Sequence, residues 1–423
     1  MTKYDVTVVG AGSSGLMAAI NAATQGAKVI LIDKNPRPGR KLVISGGGRC
    51  NVTNRTTRED LITHIPGNGK FLYSALDQFD QEDIIHFFES RGVPLKEEDH
   101  GRMFPVTDRA RTILDTLTDE LEDLGVEVRQ KSVVEKVLYD KDLNQVAGVK
   151  LENGDIIESK AIVLAAGGRA YPRTGATGDG YAWARSAGHT IERLYPTESP
   201  ILSHDPLIKR NHLKGVSLRD VRVTLWNGSE HQKSLVEHQM DMVITHFGYS
   251  GPAILRTSGH VNQYLHDEKQ DTAYLSINLV PQLTVNEFKE VAEENRNKQM
   301  TTILKQWMPE KMAEEVLWRS EIEKTGAYKQ LTHAQIEALW KNMTVFEFTA
   351  YGTQPIEKGF VTGGGVSTKE VNPRSMESKL MSGLFFCGEL LDINGYTGGY
   401  NITAAFVTGT IAGQYAAWTA FSK

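Results

Sequence analysis

The chain has 423 residues, 40% of them hydrophobic and 23% charged, with 39 glycines and a formal net charge of −5. At about 150 residues per domain this is more than one compact core, and the balance is that of an ordinary globular protein, which excludes a disordered or collagen-like chain. With 47 Lys+Arg against 52 Asp+Glu there is no global basic field of the kind that drives indiscriminate nucleic-acid binding, although a local basic patch stays open. Cys50 and Cys387 lie far apart and form neither a C-x-x-C pair nor a ligand cluster. No disulfide scaffold, metal site or dithiol relay is therefore expected, and reduced thiols in the cytoplasm are the plain reading.

Met1 to Val9 runs straight into a strand pattern without a basic or apolar leader, so the protein is expected to stay where it is made. After the β-branched run Tyr4–Val9 comes Gly10-Ala11-Gly12-Ser13-Ser14-Gly15, then an Ala-rich helical stretch from Leu16 to Thr24. This is strand, tight turn, helix. Gly10 allows the turn, Gly12 lets backbone approach a pyrophosphate, Gly15 lets helix pack close on strand, and the helix N-terminus attracts phosphate. A second strand, Lys28–Asp33, ends in an acid roughly 20 residues on, where a ribose hydroxyl needs an acceptor. Together these predict dinucleotide binding, with NAD and FAD both open at this point. In the next segment, Gly39 to Asn54, the small residues Ser45, Gly47 and Gly48 suit backbone lying against a flat ring. Arg40, Lys41 and Arg49 there can neutralise a diphosphate; a flexible basic loop is the competing reading.

From Leu194 to Val280 short alternating runs, such as Val221–Trp226 and Ala273–Asn278, predict a β-rich, barrel-like region. From Thr284 to Asn342 apolar residues recur at helical spacing, and Thr284 with Glu287 and Thr332 with Gln335 fit capping boxes. Leu384–Gly388 reads as a short buried strand. Ile393–Ser422 carries no charged residue and is long enough to span a bilayer, but Gln414, five threonines and a Gly-rich lead-in predict a buried helix with no stable membrane association. A second G-x-G-x-x-G after a strand is absent, so no dedicated nicotinamide domain is expected.

Six motifs carry a resemblance over nearly the whole chain. They are Gly10–Gly15, Ser45–Asn54, Gly101–Pro105, Thr245–Pro252, Gly363–Val366, and Gly388–Asp392 running into Gly398–Asn401. The sequence resembles the two-domain flavoproteins that bind FAD, and among them the YhiN/BaiN-like family of bacterial oxidoreductases. The resemblance implies an α/β fold. Its Rossmann-like FAD-binding domain would be built from residues 1–193 and 346–423, with an inserted β-rich domain at 194–283 and a helical subdomain at 284–345. It implies cofactor contacts from Gly10, Ala11, Gly12, Ser14, Gly15, Asp33, Lys34, Arg40, Lys41, Ser45, Gly47, Gly48, Arg49, Cys50 and Asn51. It adds Val133 and Val134 at the adenine, Ala165, Ala166 and Gly167 at a second strand-to-loop contact, and Gly388, Glu389 and Asp392 at the ribityl and phosphate region. Gly398, Gly399, Tyr400, Asn401 and Ile402 would open the uncharged helix against the flavin, where a helix N-terminus stabilises negative charge.

Since flavin carries the electron chemistry, the catalytic expectation is short: His246 as a proton carrier, Arg102 as an anion contact, and Tyr400 at cofactor or substrate. Members of the family act on a small amine with oxygen, a steroid ring, or a uridine in ribosomal RNA. The first expectation is an FAD-dependent oxidoreductase of a small organic molecule, fed by transiently bound NAD(P)H. The alternatives are a reductase of an rRNA uridine, an amine oxidase, and a non-catalytic flavin binder. Arg102, Arg109, Arg111, Lys209, Arg210, Lys214 and Arg219 are candidates for an RNA-binding stripe. Nothing in the sequence sets the oligomeric state.

Overall fold

The structure, a computed structural model, describes residues 2–140 and 142–423. The chain divides into two units, Met1–Tyr195 with Phe360–Lys423, and Pro196–Gly359.

The first unit is built on β1 (Thr2–Val9), α1 (Ser13–Thr24) and β2 (Val29–Ile32). β1 pairs in parallel with β2 on one side and with the strand Ile156–Leu164 on the other, so the chain reverses direction across the sheet at the C-terminal end of β1. In open α/β sheets such a switch point is where ligands bind. Glu127–Arg129 extends the sheet beyond β2. The far edge of Ile156–Leu164 is shared: its first half pairs antiparallel with Gln145–Leu151, its second half in parallel with Leu384–Phe386. The expected short buried strand near the C-terminus thus returns the chain to the centre of the sheet.

The uncharged stretch folds as one helix, Tyr400–Phe421, buried along most of its length. It lies against α1 so closely that a Cβ at Gly409 would stand 2.2 Å from the Ser14 carbonyl oxygen, and one at Gly413 2.0 Å from that of Ala18. Among the described residues no helix is long and apolar enough to cross a membrane.

The second unit is an antiparallel sheet whose order runs Phe346–Ala350, Ala273–Asn278, Ser217–Trp226, Ser234–Ile244, Gly248–Ser250, Ile201–Leu202, Gly352–Thr353. Its two edge strands are separated in the chain by Tyr351 alone, so the sheet curls until its edges come close, as a barrel does. The helices Val285–Glu294, Met300–Leu304, Glu310–Arg319 and His333–Thr344 share one apolar core with this sheet. Both capping boxes form, at Thr284 with Glu287 and Thr332 with Gln335.

The boundaries differ from the expectation in two places. The helices of 284–345 do not stand apart from the β-rich part. The return to the first unit comes at Phe360 rather than 346, because Phe346–Ala350 pairs with Ala273–Asn278.

Candidate cofactor and active site

The turn after β1 separates the roles of its glycines. A Cβ at Gly10 would stand 2.4 Å from the Ala165 carbonyl oxygen, and one at Gly15 1.7 Å from that of Gly10, so both are glycine because backbone packs on backbone. At Gly12 a Cβ would meet nothing within 4 Å. The same open side is found at Gly47 and Gly48, which hold φ of +69° and +87°. These three backbones face the kind of free space that a diphosphate and a flat ring require.

Asp33 sits at the end of β2 with its carboxylate accepting the Ala11 N–H at 2.6 Å and the Asn35 N–H at 2.6 Å. Each oxygen keeps a further lone pair for a hydroxyl donor. The Ser132 N–H donates to the Asp33 carbonyl at 3.0 Å, which brings Val133 and Val134 beside the acid.

Three motifs far apart in sequence meet here. Thr53–Asn54 pairs antiparallel with Met103 and Arg102, which sets Gly101–Pro105 beside Ser45–Asn54. The Asn54 amide donates to the carbonyls of His100 and Gly398, both at 2.9 Å, and the Thr53 and Thr403 hydroxyls are 2.8 Å apart. The N-terminus of the C-terminal helix is thereby fixed next to this loop. Gly399, its N-cap, provides no side-chain cap. Asn51 Oδ1 is buried without a partner among the described residues, and a Cβ at Gly399 would come within 3.1 Å of it. An orphaned buried acceptor beside an uncapped helix start is suited to the imide edge of a planar ring.

On the opposite side, a Cβ at Gly388 would stand 2.4 Å from Ser14 Oγ. Glu389 accepts the Thr362 N–H at 2.8 Å and pairs with Lys41 at 2.6 Å. Thr362 Oγ1 in turn accepts the N–H groups of Arg169 and Ala170, so the loop after Ala165, Ala166 and Gly167 is tied to Glu389. Asp392 accepts the Asn68 amide at 2.8 Å, and burial pushes its carboxyl above the ordinary range.

Several expected residues are engaged differently. The charge of Arg49 is balanced by Glu98 at 2.7 Å and Asp108 at 3.4 Å, with its guanidinium 4.0 Å from the Phe104 ring, so it is not a free cation for a diphosphate. The Lys34 ammonium bonds Thr177 and Asp179, and Arg40 donates to Asn35 at 2.9 Å. Burial pushes the Cys50 and Cys387 thiols up to about 12, so both are protonated at neutral pH.

Of the three candidate catalytic residues, Tyr400 and Arg102 belong to the first unit and His246 to the second. Tyr400 is buried and stacks on His64, centroids 4.6 Å apart. Arg102 donates through Nε to the Asp99 carbonyl at 2.9 Å. His246 belongs to the second unit, exposed on the turn before Gly248–Ser250 and edge-on to Phe247 at 4.9 Å. Asn401 closes the loop before it by bonding both the N–H and the carbonyl of Gly395. Of the proposed RNA stripe, Arg111 pairs with Asp115 at 2.7 Å and Arg210 with Glu315 at 2.8 Å.

Sequence reasoning missed His64, Thr362 and Tyr181. The Tyr181 hydroxyl is buried without a partner among the described residues, near Glu389 and Asp392, and burial followed by these carboxylates drives its pKa far up. Only Thr362 had a signal, its place before the Gly363–Val366 motif.

A family model described as HI0933-like protein Rossmann domain matches residues 4–415. The chain belongs to that family. The motif resemblance pointed to the same group of flavoprotein oxidoreductases. A ribosomal RNA dihydrouridine synthase of Escherichia coli (strain K12) is 32% identical over 409 residues, 96% of this chain and 96% of that one. A protein of the same description from Haemophilus influenzae is 31% identical, covering 96% and 97%. The 3-dehydro-bile acid delta(4,6)-reductase of Clostridium scindens is 29% identical, covering 97% and 98%. Among solved structures, the 3-ketosteroid delta1-dehydrogenase of Sterolibacterium denitrificans covers 100% of both chains at 12% identity with a TM-score of 0.52, a likeness of fold. This HI0933-like chain is accordingly an FAD-dependent oxidoreductase with a Rossmann-type FAD-binding domain.

Proposed function

We propose that this HI0933-like protein is an NAD(P)H-fed flavin reductase that saturates an activated carbon–carbon double bond, and that its substrate is a uracil ring in ribosomal RNA. The observation that carries the reading is similarity end to end, across both units, to two ribosomal RNA dihydrouridine synthases. A cytoplasmic location follows from that substrate. Bound FAD supplies hydride transfer between donor and substrate.

The chain's own residues have these jobs in the proposal. Gly12, Gly47 and Gly48 offer bare backbone to the diphosphate and ring, and Asp33 accepts a ribose hydroxyl with its remaining lone pairs. Val133 and Val134 flank the adenine. Glu389, Asp392 and Tyr181 line the ribityl side. The Asn51 side-chain oxygen Oδ1 would accept the imide N–H, and the helix start at Gly399–Ile402 would stabilise charge at the same edge. Arg102 is the proposed contact for a substrate anion; Tyr400, held against His64, positions the ring edge.

The test uses ribosomal RNA from a strain lacking the gene, incubated with the protein and NADPH. A uridine that gains the mass of two hydrogens is the expected product. RNA left unreduced by a protein whose flavin NADPH does reduce would overturn the RNA substrate. A second reading, a small steroid-like enone, is favoured by the full-length similarity to the bile-acid reductase and would then be assayed.

A further inference from the structure

The segment Arg169–Asp179 is pinned at both ends. Its start is held by the Thr362 hydroxyl, which accepts the N–H groups of Arg169 and Ala170 at 2.9 and 3.0 Å. Its end is held by Lys34, which bonds Thr177 and Asp179, while a Cβ at Gly175 would stand 2.3 Å from the Asn35 amide nitrogen. Between these anchors the tip is turned outward. Tyr171 is 37% exposed and Phe360 beside it 53% exposed, their rings within 14° of parallel and 6.4 Å apart between centroids. Arg173, two residues on, is exposed and has no hydrogen-bond or ion-pair partner among the described residues.

Tyr171 also adopts a left-handed backbone, φ +59° and ψ +58°, which a bulky residue rarely does. Burial alone does not explain this placement, since more than a third of Tyr171 and half of Phe360 stay exposed while the backbone carries the strain. An anchored loop that offers a flat aromatic step and an unpaired guanidinium fits a ligand with a planar ring and a phosphate. The loop leads directly from the strand end at Ala165–Gly167, and through Thr362 it is bonded to Glu389.

The chain needs such a place. It has no second G-x-G-x-x-G after a strand, and the strand pairs of the second unit among the described residues are all antiparallel, which is not the sheet of a nicotinamide domain. We propose that Tyr171, Phe360 and Arg173 form the docking step for the reduced nicotinamide dinucleotide, a flat ring of the donor stacking on the aromatic pair and a phosphate on Arg173. The proposal rests on the NAD(P)H-fed reading above.

The test is equilibrium binding of NADP+ and NAD+ to the FAD-loaded protein, together with the NADPH concentration that half-saturates anaerobic flavin bleaching. Tyr171→Asn removes the ring but keeps a residue at ease in the left-handed region, so folding is spared. It should raise the dissociation constant by about tenfold, in line with the loss of one stacking contact, and leave the bleaching rate at saturation unchanged. Arg173→Gln should weaken binding several-fold, Tyr171→Phe should restore it, and Trp418→Ala, an exposed aromatic on the C-terminal helix, should change nothing.

Unchanged binding in Tyr171→Asn and Arg173→Gln, with a wild-type protein that binds and is bleached, overturns the step and leaves the donor reading intact. A wild-type protein that neither binds nor is bleached overturns both. Loss of FAD, or of RNA affinity alone, in Tyr171→Asn overturns the step by assigning the ring to another ligand.

Discussion

Glycine can be required for opposite reasons within one turn. At Gly15 the space is taken by backbone, whereas at Gly12 it is open and φ is −83°, so alanine fits the fold but fills the cradle. Gly15→Ala should destabilise the FAD-free protein by about 1–3 kcal/mol in denaturant unfolding, as overpacking does. Gly12→Ala should leave that stability unchanged and weaken FAD binding at least tenfold in a fluorescence titration, about 1.4 kcal/mol or more. Unfolding of both variants alike would contradict the separation. His189 provides a pH prediction. Its ring is buried, 2.7 Å from Ser378 Oγ and 3.3 Å from Glu370, and burial lowers its pKa despite the carboxylate. The unfolded chain therefore binds the proton more readily, and stability present above about pH 6.5 is lost as pH falls below it. Denaturant midpoints across that window should drop in the wild type and drop less in His189→Gln. At this scale Asp33 was legible because strand, turn and spacing point to one acid. The engagement of Arg49 was not, because its partner Glu98 lies 49 residues away and only tertiary pairing brings them together. Tyr181 and His64 were not legible, since a lone aromatic in or just after a short helix carries no positional signal.

The C-terminal helix shows how an apolar run finds a soluble place. Its glycines 409 and 413 sit one turn apart and let it touch the backbone of α1, so the helix is buried by close approach rather than by large side chains. Gly409→Ala should force the two helices apart and cost about 1–3 kcal/mol of stability, whereas half-buried Ala405, one turn earlier, should tolerate serine within about 0.5 kcal/mol. Thr284→Ala, which removes a capping box, should cost about 1 kcal/mol by the same measurement. The absence of charge made the helix readable, and the Thr-x-x-Glu and Thr-x-x-Gln patterns made two helix starts readable. Phe346–Ala350 was assigned to the wrong unit because a strand's sequence states its pleat and not its neighbour.

At the scale of the molecule the apolar core is divided as the chain is, one cluster for each unit. Tyr195 and Phe360, the residues flanking the second unit, are close in the first: Ile191–Thr197 pairs with Val361–Val366, and a Cβ at Gly363 would meet the Tyr195 ring at 2.4 Å. Replacing Pro196–Gly359 by a short Gly/Ser linker should therefore leave a folded, FAD-binding protein with one cooperative unfolding transition; an aggregated product would show that the first core depends on the second. The two-ended assembly of the FAD domain was legible through motifs at both termini, while the curled sheet of the second unit was legible only as alternation, because closure depends on which edges meet. The central claim concerns electrons, and an anaerobic titration of the yellow protein with NADPH and then NADH, following visible flavin absorbance, tests it most directly. Prompt bleaching by at least one nicotinamide is the predicted result. A flavin that stays oxidised in the presence of both would contradict the nicotinamide-fed reductase.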